Sequence, residues 1–472
     1  MSAVQDVVVI GGGIAGMMAA NRAGQLGLKV TVLEQGSEDK YLCNTRFTGG
    51  TFHICLREIT LDEPTLEKLI TESTAGFVPQ DLAHALARDG RRVIEWLQAE
   101  GIRFMRASAS EYHKWVLAPP GRSRPGLDWE GRGGDVLLRT LEDALKKRGG
   151  SIVRGARAES LIAEGNRCVG VKALVGGGTE EFRAAAVVIA DGGFQGNLDL
   201  VRKYISPMPE RLKQRGAGNG RGDGMRMALE MGAALKGMDR FYGHVLSRDA
   251  LTNEQLWPYP YLDSLLTASV VVNTQGQRFV DEGGGGVFVA NAVAQLADPM
   301  SSLCIFDSDI WEQPGRNGLI PANPHLEKCG ATMHKADDIA SLAAKAGIPA
   351  TTLEKTIADY NAAVTRGSDN KVLPLTPQRR IGKFKALPIV KAPFYALPMV
   401  AGITYTMGGI AVNAHSQALR EDGTRIDGLY AVGASTGGLE GGPQIGYVGG
   451  LAKGGVTGLN AADHIAAEIG GK

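Results

Sequence analysis

Residues 7–10 are Val-Val-Val-Ile, and Gly11-Gly12-Gly13-Ile14-Ala15-Gly16 follows with no spacer. A short β-branched run of this kind suits a strand buried in a parallel sheet. The glycine stretch matches G-x-G-x-x-G, and Met17 to Leu26 continues as a helix of small and straight-chain residues. Gly27 closes that helix, Lys29 to Leu33 reads as a second strand, and Glu34 stands at its end. Each part has a physical task. Gly11 permits the tight turn, Gly13 lets a pyrophosphate approach the backbone, and Gly16 lets helix and strand pack closely. Ala15 belongs to the same cradle, where the helix N-terminus offers unpaired N–H groups and the positive end of its dipole. Glu34 is placed to accept hydrogen bonds from an adenosine ribose. Strand, turn, helix, strand and acid in register predict a bound dinucleotide.

The rest of the chain sets limits on what surrounds that cradle. A length of 472 residues exceeds the roughly 250–300 at which one core stops growing, so two intertwined domains are expected. The 51 Lys+Arg against 50 Asp+Glu leave a net charge of +1, which argues against nucleic acid as a partner. The five cysteines (Cys43, Cys55, Cys168, Cys304, Cys329) form no C-x-x-C. The usual zinc, iron–sulfur and haem spacings are therefore missing, and no metal is expected. An odd, scattered thiol set, no signal-like start and no apolar run of bilayer length predict a cytoplasmic protein without a membrane span.

A second glycine series lies far downstream. Gly428 to Gly433 (GLYAVG) reads as strand then turn, and Gly449-Gly450-Leu451 leads into a helix running to about Glu468. Between the two ends lie, in order, Asn44-Thr45-Arg46-Phe47-Thr48-Gly49-Gly50, the stretch Val187 to Phe194 (VVIADGGF), Val271-Val272-Asn273 with Gly276 to Glu282 (GQRFVDE), and Thr406-Met407-Gly408-Gly409. Taken together, the chain resembles the FAD-dependent fumarate reductase/succinate dehydrogenase flavoprotein superfamily, on its 3-ketosteroid Δ1-dehydrogenase-like or tricarballylate dehydrogenase-like branch.

The resemblance implies an α/β protein. A Rossmann-like FAD-binding domain (1–240 and 391–472) would be interrupted by an α+β capping domain (241–390), with 368–390 as the hinge. It implies FAD as cofactor, held by Gly11, Gly13, Ala15, Gly16 and Glu34, by the flavin loop Asn44, Thr45, Arg46, Thr48, Gly49 and Gly50, and by Ala158, Ala190, Gly192, Gly433, Gly450 and Leu451. Ala434 stands where the family offers a polar residue, so Ser435 or backbone N–H groups would compensate. It also implies a small-molecule substrate and an external electron acceptor or donor.

Departures from the family narrow the substrate. Gly286 occupies the place of the proton-delivering arginine, Leu262 to Leu265 that of the E-x-x-R relay, and Tyr405 that of a carboxylate-binding histidine. Gln444 or Tyr447 stands where a second arginine binds carboxylate. Arg–carboxylate pairs are among the stronger polar contacts, so a dicarboxylate is a poor fit with only Arg46 and Lys453 as nearby cations. Tyrosines suit α,β-dehydrogenation of a cyclic or apolar ketone, because a phenol can take the α-proton or stabilise the enolate oxygen. The candidates are Tyr405, Tyr447 and Gln444 for catalysis, and His53, Tyr242, His244 and Tyr261 against substrate, with Tyr259, Tyr112 and His113 as further options. The alternatives are an enone or ene-carboxylate reductase, a tricarballylate-type dehydrogenase, or a non-catalytic flavin-binding sensor or partner subunit. The glycines at 283–286 are expected to form a flexible segment beside the site.

Overall fold

The computed structural model describes residues 4–366 and 385–470, so most of the expected hinge at 368–390 lies outside the described residues. The strand Gln5–Ile10 is buried over its last four residues and lies at the centre of a parallel array. Across that array run Ser151–Arg154, Val30–Glu34, Gln5–Ile10, the end of Gly178–Ile189, and Arg425–Ala431. In chain order this is 3-2-1-4-5, the doubly wound order whose crevice at the strand ends takes nucleotides. The expected elements are present with small shifts in their ends. The first helix is Ile14–Gln25, the helix read at 136–147 is Gly133–Lys147, and the last is Gly450–Gly470. Gly450–Gly470 packs on Ile14–Gln25 and on Gln80–Ala99, which joins the two chain ends in one layer.

A second sheet is built around one long strand, Phe394–Thr406, whose residues are buried except Thr404. It pairs antiparallel with Phe241–Ser247, Ser302–Asp307 and His334–Ala336, and parallel with Lys213–Gln214. The strand Phe394–Thr406, grouped by the sequence with the FAD-binding half, therefore continues the sheet of residues 241–390. Opposite Tyr242/Gly243 the register slips, with Tyr242 facing Tyr405 and Gly243 facing Ile403, so Thr404 is the extra residue. A bulge of this sort bends a strand and re-aims side chains. Here it brings Tyr405, Thr404 and Tyr242 to one end of the sheet, facing the parallel array.

The glycines at 283–286 are not a loose segment. Glu282–Gly284 makes a single tight turn, and Gly286 opens the buried helix Gly286–Ala294. Glu282 is buried and paired with Arg278, which fixes the start of the turn. The helix Ala350–Arg366 buries Tyr360 at 2% exposure, as its apolar spacing predicts.

Candidate active site

One elongated cavity runs between the parallel array and the second sheet. At one end it is lined by Gly11 to Ala15, Leu33, Glu34 and Gln35, with Ala156 to Ala158 beyond them. The residues fit a dinucleotide. A Cβ built on Gly13 would enter this space and meet only Thr45 Oγ1, at 3.6 Å. Gly13 caps the helix without any side-chain hydrogen bond, so the first-turn amides face the cavity unshielded, apart from Ile14 N, which donates to Thr45 Oγ1 at 3.0 Å. Gly16 does not line the cavity. It is a packing residue, because an added Cβ would overlap the Gly11 carbonyl. Glu34 lines the cavity while its two oxygens accept from Gly12 N and Gly36 N, each at 2.8 Å. Each oxygen keeps a second lone pair for a ribose hydroxyl.

The middle of the cavity is walled by Asn44, Thr45, Thr48 and Gly49 on one side and by Ala190, Gly192, Gly433, Gly450 and Leu451 on the other. Asn44 also ties this loop to the second sheet, donating to Thr404 O and accepting from Ala217 N, both at 2.8 Å. Two loop residues expected here stand elsewhere. Arg46 is 1% exposed, ion-paired with Asp135, and donates from Nε to Tyr41 O at 2.7 Å. Its charge is therefore spent beneath the loop. Gly50 turns away against Leu117. Ser435 does not stand in for Ala434: it accepts from Gly192 N at 3.0 Å and donates to Asp191 at 3.1 Å. Burial lifts the Asp191 carboxyl to about 6, against the pull of the Gly224 amide and Ser435.

At the far end stand His53, Arg122, Arg215, Tyr242, Pro258, Tyr259, Thr404, Tyr405 and Tyr447. Tyr242 and Tyr447 stack with ring centroids 3.9 Å apart. The Tyr447 hydroxyl accepts from Gly450 N at 3.2 Å, at the N-terminus of the last helix. His53 Nδ1 accepts from Leu56 N at 3.2 Å, which leaves the ring proton on Nε2. Burial, with help from Arg122, drives its pKa down to about 3, so the imidazole is a neutral donor.

The arginines were not anticipated. Arg122 Nε donates to the Tyr259 hydroxyl at 2.9 Å, and its Nη1 lies 3.3 Å from His113 Nε2. Arg215 is 6% exposed, donating to Pro258 O at 3.2 and 3.1 Å and to Thr404 Oγ1 at 3.0 Å. Among the described residues neither guanidinium has a carboxylate within ion-pairing distance, and the groups acting on Arg122 are tyrosines. Burial alone would raise the Tyr259 phenol, but Arg122 and Arg215 together bring it below the usual tyrosine value. In the sequence each arginine is marked only by a neighbouring glycine, as Gly121-Arg122 and Arg215-Gly216, which carries no information about distance to Tyr259.

Other expected residues take different places. The Tyr405 ring lines the cavity, but its hydroxyl donates to Glu440 at 2.8 Å. Glu440 and Lys453 are both fully buried and ion-paired, so Lys453 does not serve as a cavity cation. Burial, then Glu440, holds the Tyr405 phenol well above its usual value. Gln444 is exposed and outside the cavity, whereas Tyr447 lines it. His244 and Tyr261 stack on each other, with centroids 4.4 Å apart, behind the wall that Tyr242 forms. Tyr112 packs edge-on against His53. No helix among the described residues is long and apolar enough to cross a membrane.

A family model described as FAD binding domain matches residues 6–446. NADH:acrylate oxidoreductase of Vibrio harveyi is 30% identical over 382 residues, covering 78% of this chain and 35% of its own length. 4-Oxocyclohexanecarboxylate 2-dehydrogenase of Sinomonas cyclohexanicum is 28% identical over 354 residues, covering 67% of this chain and 57% of its own. The chain thus spans about a third of one relative and just over half of the other. Among solved structures, 3-ketosteroid Δ1-dehydrogenase from Sterolibacterium denitrificans in complex with 1,4-androstadiene-3,17-dione superposes with a TM-score of 0.78, at 22% identity, over 98% of this chain and 100% of that one. That likeness supports the fold. On the family match over residues 6–446 and these relatives, the chain belongs to the FAD-binding family of the fumarate reductase/succinate dehydrogenase flavoprotein superfamily and is an FAD-dependent oxidoreductase.

Proposed function

We propose that the enzyme acts on the C–C bond α,β to a carbonyl or carboxylate of a cyclic or otherwise apolar compound. The observation that carries this reading is the pair Arg122 and Arg215 flanking Tyr259, two cations with no carboxylate partner among the described residues. Leaving a buried charge uncompensated costs several kcal/mol, and an oxygen anion of the substrate supplies the missing partner. Arg122, Arg215 and the Tyr259 hydroxyl would hold that oxygen and stabilise the enolate or carboxylate as charge develops on it. His53 adds a neutral Nε2–H donor, and the stacked Tyr242 and Tyr447 form an aromatic wall for an apolar body.

Bound FAD would take a hydride from the β-carbon or return one to it. Tyr259, Arg215, Thr404 and Tyr405 all approach from the side of the second sheet, which supports reading residues 241–390, with the strands Lys213–Gln214 and Phe394–Thr406 joined to their sheet, as a cap over the cavity. The names of two relatives fit this chemistry, an acrylate oxidoreductase and a dehydrogenase of a cyclic keto acid. They leave the direction open between dehydrogenation and reduction, and an external carrier would exchange electrons with the flavin.

Anaerobic titration of the FAD-loaded protein tests the proposal. 4-Oxocyclohexanecarboxylate should bleach the flavin more readily than cyclohexanone, a 3-ketosteroid, tricarballylate or succinate. Arg122→Met should weaken its binding at least about tenfold, as loss of a charge-assisted pair does. Chemically reduced protein should be reoxidised by the matching enone where reduction is the working direction. Silence in both directions would remove the reading.

A further inference from the structure

Behind the aromatic wall lies a polar chain that the arginine edge does not use. Tyr242 and His244 are two residues apart on the strand Phe241–Ser247 and so share a face. The Tyr242 hydroxyl, on the residue that lines the cavity, is 3.0 Å from His244 Nε2. His244 Nδ1 is 2.7 Å from Asp263 Oδ2. His244 and Asp263 are 6% and 4% exposed, and Asp263 Oδ1 has no hydrogen-bond partner. Room for that carboxylate comes from Gly286, where any Cβ would overlap it. A buried carboxylate with a bare oxygen is costly, yet the glycine that opens the next helix keeps space for it.

The hydrogen-bond roles follow from this arrangement. A carboxylate against Nδ1 fixes the imidazole proton there, so Nε2 accepts and the Tyr242 hydroxyl donates. The groups facing His244 are Asp263, Tyr242, Tyr261, Arg215 and Arg122. Burial keeps the imidazole below its usual pKa, against the pull of Asp263, so it is a neutral acceptor at rest.

We propose that Tyr242, His244 and Asp263 form a proton-transfer triad for the substrate's α-carbon, with Tyr242 as the catalytic base and His244 and Asp263 as positioning residues behind it. The inference rests on the proposed C–C bond reading. In dehydrogenation the α-C–H bond breaks and its proton goes to the Tyr242 oxygen, while Tyr242 passes its own proton to His244 Nε2. The electron pair left on the α-carbon would form the second C–C bond, with bound FAD supplying the acceptor for the β-hydride. Asp263 stabilises the imidazolium without taking the proton, as the carboxylate does behind the imidazole of a hydrolase triad. Reduction runs the same transfers backwards. Arg122, Arg215 and Tyr259 keep the separate task of holding the substrate oxygen.

The test uses FAD-loaded protein with ¹⁵N-labelled histidine and needs no substrate for its first half. His244 should appear as the Nδ1–H tautomer with a low-field hydrogen-bonded proton, and Asp263→Asn should abolish that signal. In the second half, flavin bleaching by saturating 4-oxocyclohexanecarboxylate should slow at least about 100-fold in Asp263→Asn and in Tyr242→Phe, the usual range for loss of a general base. Its dissociation constant should stay within about threefold, which separates loss of the chemical step from loss of binding. Tyr242→Phe keeps the ring stacked on Tyr447, so it carries the test if Asp263→Asn fails to hold FAD. Full-rate bleaching by Tyr242→Phe, or an Nε2–H tautomer in an active wild type, would overturn the triad alone. An Nδ1–H signal in a wild type that no compound bleaches or reoxidises would overturn the C–C bond reading and the triad's role with it.

Discussion

Tyr405 reaches the cavity wall with its ring, but its hydroxyl donates to Glu440 at 2.8 Å, and Glu440 also holds Lys453. Tyr242 faces a neutral imidazole, whereas the Tyr405 hydroxyl is engaged by a fully buried carboxylate already ion-paired with Lys453, so Tyr405 serves as a tie between the second sheet and the last helix. Tyr405→Phe is therefore expected to act on stability. It strips one partner from a buried carboxylate, at a cost of about 1–3 kcal/mol, which urea unfolding of the FAD-loaded protein would register. The bleaching rate at saturating substrate should stay within about threefold of wild type. A tenfold slower chemical step with unchanged stability would return the proton role to Tyr405. In the sequence this position is only a tyrosine before Thr-Met-Gly-Gly. Its partners arrive from residues 440 and 453, and nothing local announces them.

The elements divide in the same way. The strand, turn and helix around Gly11, Gly13 and Gly16 were legible because each is written locally, in a β-branched run, glycine spacing and helix-forming residues. The 283–286 run misled because four consecutive glycines imply freedom, whereas here a tight turn and a helix start use them for close packing. Gly286 is the informative one. Its missing side chain leaves the Asp263 carboxylate where it is, and through Asp263 it sets the position of His244. Gly286→Ala would force the carboxylate or the helix start to move, and overpacking of this type costs about 1–3 kcal/mol. The thermal midpoint of the FAD-loaded protein should fall accordingly, together with the low-field His244 proton. Wild-type values for both would mean that the segment yields freely, as the glycine count first suggested. The slipped register at Thr404, which aims Tyr405 and Tyr242 at the cavity, is likewise absent from the strand's sequence pattern, since pairing and not composition creates it.

At the scale of the molecule, the cavity draws on residues from Ile10 to Gly454 and from both sheets. The cavity wall at Gly11 to Ala15 was legible from motifs, whereas the wall at Arg122, Arg215 and Tyr259 was not. Arg122 comes from a Gly/Pro-rich loop, Arg215 from the short strand region beside Thr404, and Tyr259 from a third stretch. The Arg122 loop is tied to the Tyr259 stretch by Gly126 N, which donates to Tyr259 O at 2.9 Å, and Arg215 N donates to Ile403 O of the second sheet at 2.7 Å. FAD spanning such a cavity must stabilise the folded chain, because it binds the assembled walls and not the separated ones. At a free concentration one hundred times its dissociation constant, a ligand of this kind adds about 2.7 kcal/mol. Stripping FAD should thus lower the midpoint of both the parallel array and the second sheet, and adding it back should restore them together. Gly13→Val isolates the cause. Its side chain would occupy the open space at the helix N-terminus, where the pyrophosphate has to approach the backbone. That variant should purify colourless, melt like the stripped wild type, and show no rise in midpoint on titration with FAD. A yellow, stoichiometric Gly13→Val protein would mean that the glycine turn is not the phosphate site.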